Sequence, residues 1–368
     1  LSLISFTYTS NLPESVIEFF RLLTLFLSLF FVSNVLYSLS DKSYKNFFVI
    51  LIVFLSLIES FITLNYFFTY YNFGDTLVRS REYAGLAYNV NIGAFSSLIK
   101  LPLLIYLFFS VKSGIYKLSL GLLSFSSIFT IFLTGSRAAF LTLILFYLTF
   151  LFFFLFKKDY KRVLFISIFF AFSFGSNYLI FDDNSKNTSV VSRLSDINNS
   201  STKDRLRYYL ISLDQTFTYP FIGTGLGTYK TESLKFEKDN TKGYSVPYNN
   251  HNDILQSGFE LGILGFFTYL FFLLSILYLL FSWRNDPLFI FLFCSFLAFF
   301  IDSNLNFPIH RTIIMVQIIF LISFITKKNV IYFESKKLFP FLIFSLSISA
   351  IFVLYSTFKS MKIQNILT

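Results

Sequence analysis

The sequence predicts an all-α polytopic membrane protein, with about ten transmembrane helices and one long extracytoplasmic loop that carries short helices. Three observations predict it. The 368 residues have a mean hydropathy of +0.66, with 55% hydrophobic and 14% charged residues, against about 25% charged in a soluble domain. Apolar runs of roughly 18 residues or more recur, the length a helix needs to cross a bilayer. One long polar segment, 182–257, breaks the pattern and carries one of only two histidines. The 56 phenylalanines add apolar bulk and are given no functional weight.

The predicted spans are 18–39, 46–68, 92–110, 118–134, 139–156, 163–181, 258–282, 288–306, 309–326 and 338–357. Basic residues follow alternate spans: Lys42 and Lys45; Lys112 and Lys117; Lys157, Lys158, Lys161 and Arg162; Arg284; then Lys327, Lys328, Lys336 and Lys337. They share one side if the spans alternate, and the positive-inside rule assigns that side to the cytoplasm. A tail with Lys359 and Lys362 would fall opposite, against the trend. The expected division is 1–181, N-terminal spans; 182–257, a long periplasmic loop with the catalytic motifs; and 258–368, C-terminal spans. No cleavable signal peptide is visible, and a start at Leu1 rather than Met is consistent with a missing N-terminal segment.

The net charge of +10 does not mark a nucleic-acid binder. The polar segment holds nine Lys/Arg and nine Asp/Glu, so the excess sits in short loops between apolar runs. Cys294, the only cysteine, excludes an internal disulfide and a cysteine-based metal site. No His/Asp/Glu spacing matches zinc, so neither metal nor cofactor is expected. No Ser-His-Asp arrangement and no glycosidase-type carboxylate pair is readable. There is no internal repeat, and Asn184–Thr202 is a Ser/Asn-rich part of the loop.

Both histidines, His251 and His310, fall on the outer side with Arg81, Arg137, Arg205, Arg207 and Arg311. Ser201 or Thr202 can cap a loop helix. Its apolar stripe, Leu206, Tyr209 or Leu210, Leu213 and Phe217, is expected to lie on the surface of the membrane domain. Arg205 and Tyr209 share a face one turn apart. An arginine fork suits a diphosphate; two solvated surface arginines are the plainer reading. The turn at Gly223, Gly225 and Gly227 lets backbone pass close to a ligand or to another helix, and packing is the favoured reading. His251, flanked by Asn249, Asn250, Asn252 and Asp253, can take a proton from a hydroxyl near neutral pH, or cap the next helix. Arg137 follows Ser136 between two spans and needs a partner, a headgroup or a lipid phosphate. Asp302 is expected to pair with Arg311 or Arg137. His310-Arg311 follows Pro308 at a helix start, which favours anions.

In order, Arg205, Tyr209 (where Trp is usual), Pro220, Gly223, Gly225, His251-Asn252 and Glu260-Leu261-Gly262-Ile263-Leu264-Gly265 resemble the O-antigen ligase and O-antigen polymerase family. Arg81-x3-Gly85-x3-Asn89 and Thr134-Gly135-Ser136-Arg137-Ala138-Ala139 fit further family segments, so the resemblance covers roughly 75–310. It implies an inner-membrane glycosyltransferase that takes a glycan from undecaprenyl diphosphate at the periplasmic face. The acceptor would be a sugar hydroxyl on lipid A-core for a ligase, or on a lipid-linked repeat for a polymerase; neither nucleotide sugar nor essential metal is implied. Arg205 and His251 become the catalytic pair: the arginine for the leaving diphosphate, the histidine as base or orienting group for the acceptor. Arg207, Arg137, Arg81, Arg311, Tyr209, Gly223, Gly225 and Asn252 become substrate-binding candidates. The usual second loop arginine is replaced by Lys230, Lys235, Lys238 and Lys242, unless Arg207 or Arg193 serves.

A ligase is slightly favoured over a polymerase. A transporter or flippase of lipid-linked or anionic solutes would need mid-membrane charge and paired half-repeats. Glu59 is the clearest buried carboxylate, and no half-to-half symmetry is visible. A non-catalytic member of an envelope assembly complex is a third reading.

Overall fold

The computed structural model describes residues 1–70, 81–87, 89–180, 200–236 and 247–326. The predicted span 338–357, and Arg193, Lys238 and Lys242, lie outside them. Among the described residues the secondary structure is helical, with no strand. The helices are α1 (Leu12–Ser38), α2 (Asp41–Tyr70), α3 (Val90–Ser110), α4 (Gly114–Leu133), α5 (Arg137–Phe156), α6 (Tyr160–Ile180), α7 (Ser200–Thr218), α8 (Tyr229–Glu232), α9 (Asp253–Phe281), α10 (Phe289–Leu305) and α11 (Thr312–Thr326). Short 3-10 turns lie at Ile4–Thr7, Arg81–Ala87, Ser233–Phe236 and Pro308–His310.

Among the described residues six helices, α1 to α5 and α9, are long and apolar enough to cross a membrane, and α10 and α11 are shorter apolar helices. Several such helices in one chain make it a multi-pass membrane protein. Each predicted span up to the ninth coincides with a helix, but α1, α2 and α9 begin five or six residues earlier than expected. Caps set the starts of α1 and α9, whereas hydropathy sees only the apolar part. The Asn11 carboxamide accepts from the Glu14 amide (3.3 Å), with Pro13 in the first turn; Asn252 accepts from the Leu255 amide (3.0 Å).

The chain divides into two compact units that cut across its linear order. One unit comprises 41–202 and 276–318. Here α3 packs chiefly against α4 and α10, burying Leu98, Leu101 and Leu104 completely. Phe291 of α10 meets Phe150 of α5 (ring centroids 5.2 Å) and Tyr106 of α3 (5.3 Å). Within this apolar packing lies an ion pair: Lys100 Nζ stands 2.8 Å from Glu59 Oε2. Ser96 Oγ donates to Glu59 Oε1 (2.5 Å), and the Gln317 amide abuts Ser96 Oγ (2.5 Å). A single charge there is far costlier than a matched, hydrogen-bonded pair.

The other unit comprises 1–40, 203–275 and 319–368, of which 1–40, 203–236, 247–275 and 319–326 are described. It gathers α1, most of α7, the glycine turn, α8 and α9 as far as Ser275. The long helix α9 is broken at Gly262, whose φ of +70° lies in the left-handed region that favours glycine.

Candidate functional site

The break in α9 positions the glycine turn. It frees carbonyls that the helix would otherwise use, and the turn satisfies them. The Thr224 amide donates to the Phe259 carbonyl (3.0 Å) and the Gly225 amide to the Glu260 carbonyl (2.9 Å). In return, the Ile263 amide donates to the Pro220 carbonyl (2.8 Å). A Cβ on Gly223 would stand 2.5 Å from the Glu260 carbonyl carbon, and one on Gly262 would stand 2.5 Å from the Pro220 oxygen. Gly223 and Gly225 thus make backbone-to-backbone contact with α9.

The Glu260 carboxylate joins this turn to the histidine segment. Its Oε2 accepts from the Gly227 amide (2.8 Å), and its Oε1 accepts from Gln256 Nε2 (3.1 Å). Gln256 Oε1 accepts from the Asn250 amide (3.1 Å), and Asn250 Nδ2 donates to Ser212 Oγ on α7 (2.5 Å). Next comes His251 at φ +63°, a left-handed conformation that a non-glycine residue adopts at some strain. It is held there from both sides, because Asn252 caps α9 and the Tyr209 hydroxyl donates to the His251 carbonyl (3.0 Å). Arg205, one turn before Tyr209, lies near enough to act on the same hydroxyl. Burial pushes the Tyr209 phenol above its usual pKa, and the Arg205 guanidinium pulls it partly back. The site therefore brings Arg205, Tyr209, His251 and Asn252 into one neighbourhood.

Other candidates have local partners. Arg207 pairs with Asp204 (3.1 Å) and lies over the Tyr208 ring. Lys230 pairs with Glu14 of α1 and lies 5.9 Å from the Tyr248 ring centroid. In the other unit, Arg137 opens α5, with Nη2 3.4 Å from Thr202 Oγ1. Arg311 stacks over Phe307 (4.6 Å) after the turn at Pro308–His310. Asp302 Oδ1 accepts from Asn306 Nδ2 (2.7 Å). Arg81 is the first residue of its 3-10 turn, and its side chain lies outside the described residues. Among the described residues no group of three or more His, Cys, Asp or Glu is placed to hold a metal ion.

Residues 122–270, which hold Ser136-Arg137, Arg205, the glycine turn, His251 and Glu260, match the family model described as O-antigen ligase. Over that stretch the chain is similar to the O-antigen ligase family. Arg81 and Arg311 lie outside the matched stretch. A ComP-specific O-oligosaccharyltransferase of Acinetobacter baylyi is similar, 29% identical over 245 residues, which are 64% of this chain. The chain covers 43% of that relative's length.

Two parts of this site, and one buried group in the other unit, escaped the sequence reading. Gln256 stands one helical turn from both Asn252 and Glu260, so the three share a face of α9; that spacing was a usable signal. The N-terminal segment also joins the site: Tyr8 donates its hydroxyl to the Ile222 carbonyl, and Ser15 Oγ donates to the Leu226 carbonyl (2.5 Å). No local pattern announces contacts between residues more than 200 positions apart. Lys100, in the other unit, was legible as a lone cation inside an apolar run.

Proposed function

We propose that the chain transfers a glycan from undecaprenyl diphosphate to a sugar hydroxyl at the periplasmic face of the inner membrane, as an O-antigen ligase acting on lipid A-core. The observation that carries this reading is the anchored His251, with Arg205 beside the tyrosine that holds it, inside the family-matched stretch. The acceptor oxygen attacks the anomeric carbon and gives its proton to His251. The bond from that carbon to the diphosphate oxygen breaks, and the lipid diphosphate leaves with the electron pair. Arg205 stabilises its growing charge, a contribution of about 3–4 kcal/mol for one well-placed donor. In this reading 182–257 is the periplasmic loop between the N-terminal and C-terminal spans, about ten in all, and Arg137, Arg81, Arg207 and Arg311 hold phosphate or headgroup oxygens.

A repeat-unit polymerase would use the same groups with a lipid-linked acceptor. The relative's name supports a third acceptor, since it specifies O-linked oligosaccharide transfer specific for ComP. Glycan profiles of a deletion strain separate these readings. Bare core with accumulated lipid-linked polymer is expected for a ligase; core bearing a single repeat indicates a polymerase; loss of a glycoprotein band alone indicates a protein acceptor. If none of these changes, glycan transfer is the wrong function. Arg205→Ala and His251→Ala in stable protein should each reproduce the deletion, and normal glycan from both would remove these residues from the mechanism.

A further inference from the structure

The amphipathic helix α7 is oriented opposite to what its pattern suggests. Leu206, Leu210, Leu213 and Phe217 follow one another at four, three and four residues and form one stripe. A stripe of this kind ordinarily packs inward. Here it faces out: Leu206 and Leu210 are each 59% exposed and Phe217 70%. The inward face is instead small and polar. Ser212 and Thr216 are buried, and Ser212 receives the Asn250 side chain. Thr216 packs so closely on α9 that a Cβ on Gly258 would stand 2.8 Å from its Oγ1. Small residues at a helix contact and apolar residues pointing away are the arrangement of helices in lipid, where the outward solvent is hydrocarbon.

The stripe does not stop at the end of α7. Phe221, at 79% exposed, continues it into the turn, and the turn is fastened to α9 by the bond from the Ile263 amide to the Pro220 carbonyl. From that level α9 presents Leu264, Phe267 and Phe271, all exposed and spaced by three and four residues. These belong to a candidate membrane span. At 29 residues, α9 exceeds the roughly 20 needed to cross a bilayer. The surplus lies before Gly262, where Tyr209, Ser212 and Thr216 of α7 make their contacts with His251, Asn250 and Gly258.

The geometry points to a lipid-contacting role for α7: its Leu206–Leu210–Leu213–Phe217 face is immersed in the bilayer, continuous with the lipid face of α9. Lys203 and Arg207 flank the stripe, as at a headgroup boundary. This contact stands on exposure and continuity and holds whether or not the chain transfers glycan. For a lipid-linked donor, it sets Arg205, on the neighbouring inward face, at the level of headgroup phosphates.

Nitroxide accessibility tests it. The full chain with Cys294→Ser, its only cysteine removed, is labelled singly at Leu210→Cys, Phe217→Cys or Asp214→Cys in nanodiscs of phosphatidylethanolamine and phosphatidylglycerol. Labels at 210 and 217 should collide with oxygen several-fold more than with a water-soluble nickel chelate, and the label at 214 should show the reverse order. Equal chelate access at all three sites would make the stripe aqueous and overturn the inference. Exclusion of both reagents at 210 and 217 would also overturn it, by showing protein there. If Cys294→Ser does not fold, Leu210→Trp in a Trp283→Phe chain, quenched by brominated lipid acyl chains, gives the same decision: no quenching relative to Asp214→Trp refutes lipid contact.

Discussion

The Tyr209 hydroxyl donates to the His251 carbonyl at 3.0 Å, and it does so while His251 stands in the left-handed region at φ +63°. A helix of the polar segment thereby fixes the backbone of the proposed base. Removing the hydroxyl by Tyr209→Phe keeps the ring and deletes one hydrogen bond, worth about 1 kcal/mol. The expected result is folded protein whose turnover falls roughly fivefold, read as kcat with purified lipid-linked donor. Because burial raises the Tyr209 pKa, its contribution to stability is complete below the ordinary phenol pKa of about 10. That contribution is lost as pH rises through the higher folded-state value.

At position 251 the backbone and the side chain make separable demands. Glycine, and to a lesser degree asparagine, accepts φ +63°, whereas alanine pays about 1 kcal/mol there. Thermal unfolding should rank His251→Gly and His251→Asn above His251→Ala. Glycan transfer should be lost in all three, because none carries a group that takes a proton near neutral pH. A variant that transfers glycan at the native rate would leave His251 with a purely structural role.

Where α9 breaks, even a methyl group has no room. Gly262→Ala sets a Cβ 2.5 Å from the Pro220 oxygen at a left-handed φ, so a loss of about 2–4 kcal/mol is expected. Gly114→Ala is the matched control, because no atom lies within 4 Å of its added Cβ. Melting in detergent should drop by many degrees for the first and stay level or rise slightly for the second.

Lys100 and Glu59 are predicted to be coupled. Lys100→Met alone leaves a buried carboxylate without its cation, a loss of about 3–5 kcal/mol. Lys100→Met together with Glu59→Gln should recover most of it. A double variant as unstable as the sum of the singles would show that the pair does not act as a unit.

Gln256 links the glycine turn to His251, because it bonds both Glu260 and the Asn250 amide. Gln256→Ala should lower kcat about tenfold with little change in donor KM. Measured as a ratio to the native chain at each pH, which cancels the protonation of His251, Gln256→Glu should regain activity as pH falls, since only a protonated carboxyl can donate to the Glu260 carboxylate. A ratio that stays flat with pH would show that this link does not act through hydrogen bonding.

The sequence by itself determined the helices and the residues that carry the family's pattern. Apolar runs of spanning length leave the backbone no choice but helix in hydrocarbon, so positions such as 90–110 and 137–156 are legible from composition alone. Arg205, His251 and the glycines were likewise recognisable, because their order along the chain carries the resemblance. Only the tertiary structure decided what these residues touch. Gly223 meets the Glu260 backbone because Gly262 breaks α9 at that level. The Leu206–Phe217 stripe turned outward because Ser212, Thr216 and Gly258 permit a closer approach than leucines would. Periodicity finds an apolar face but says nothing about whether protein or lipid covers it, since both are apolar. That choice is made by the small residues on the opposite face and by contacts between positions distant in sequence.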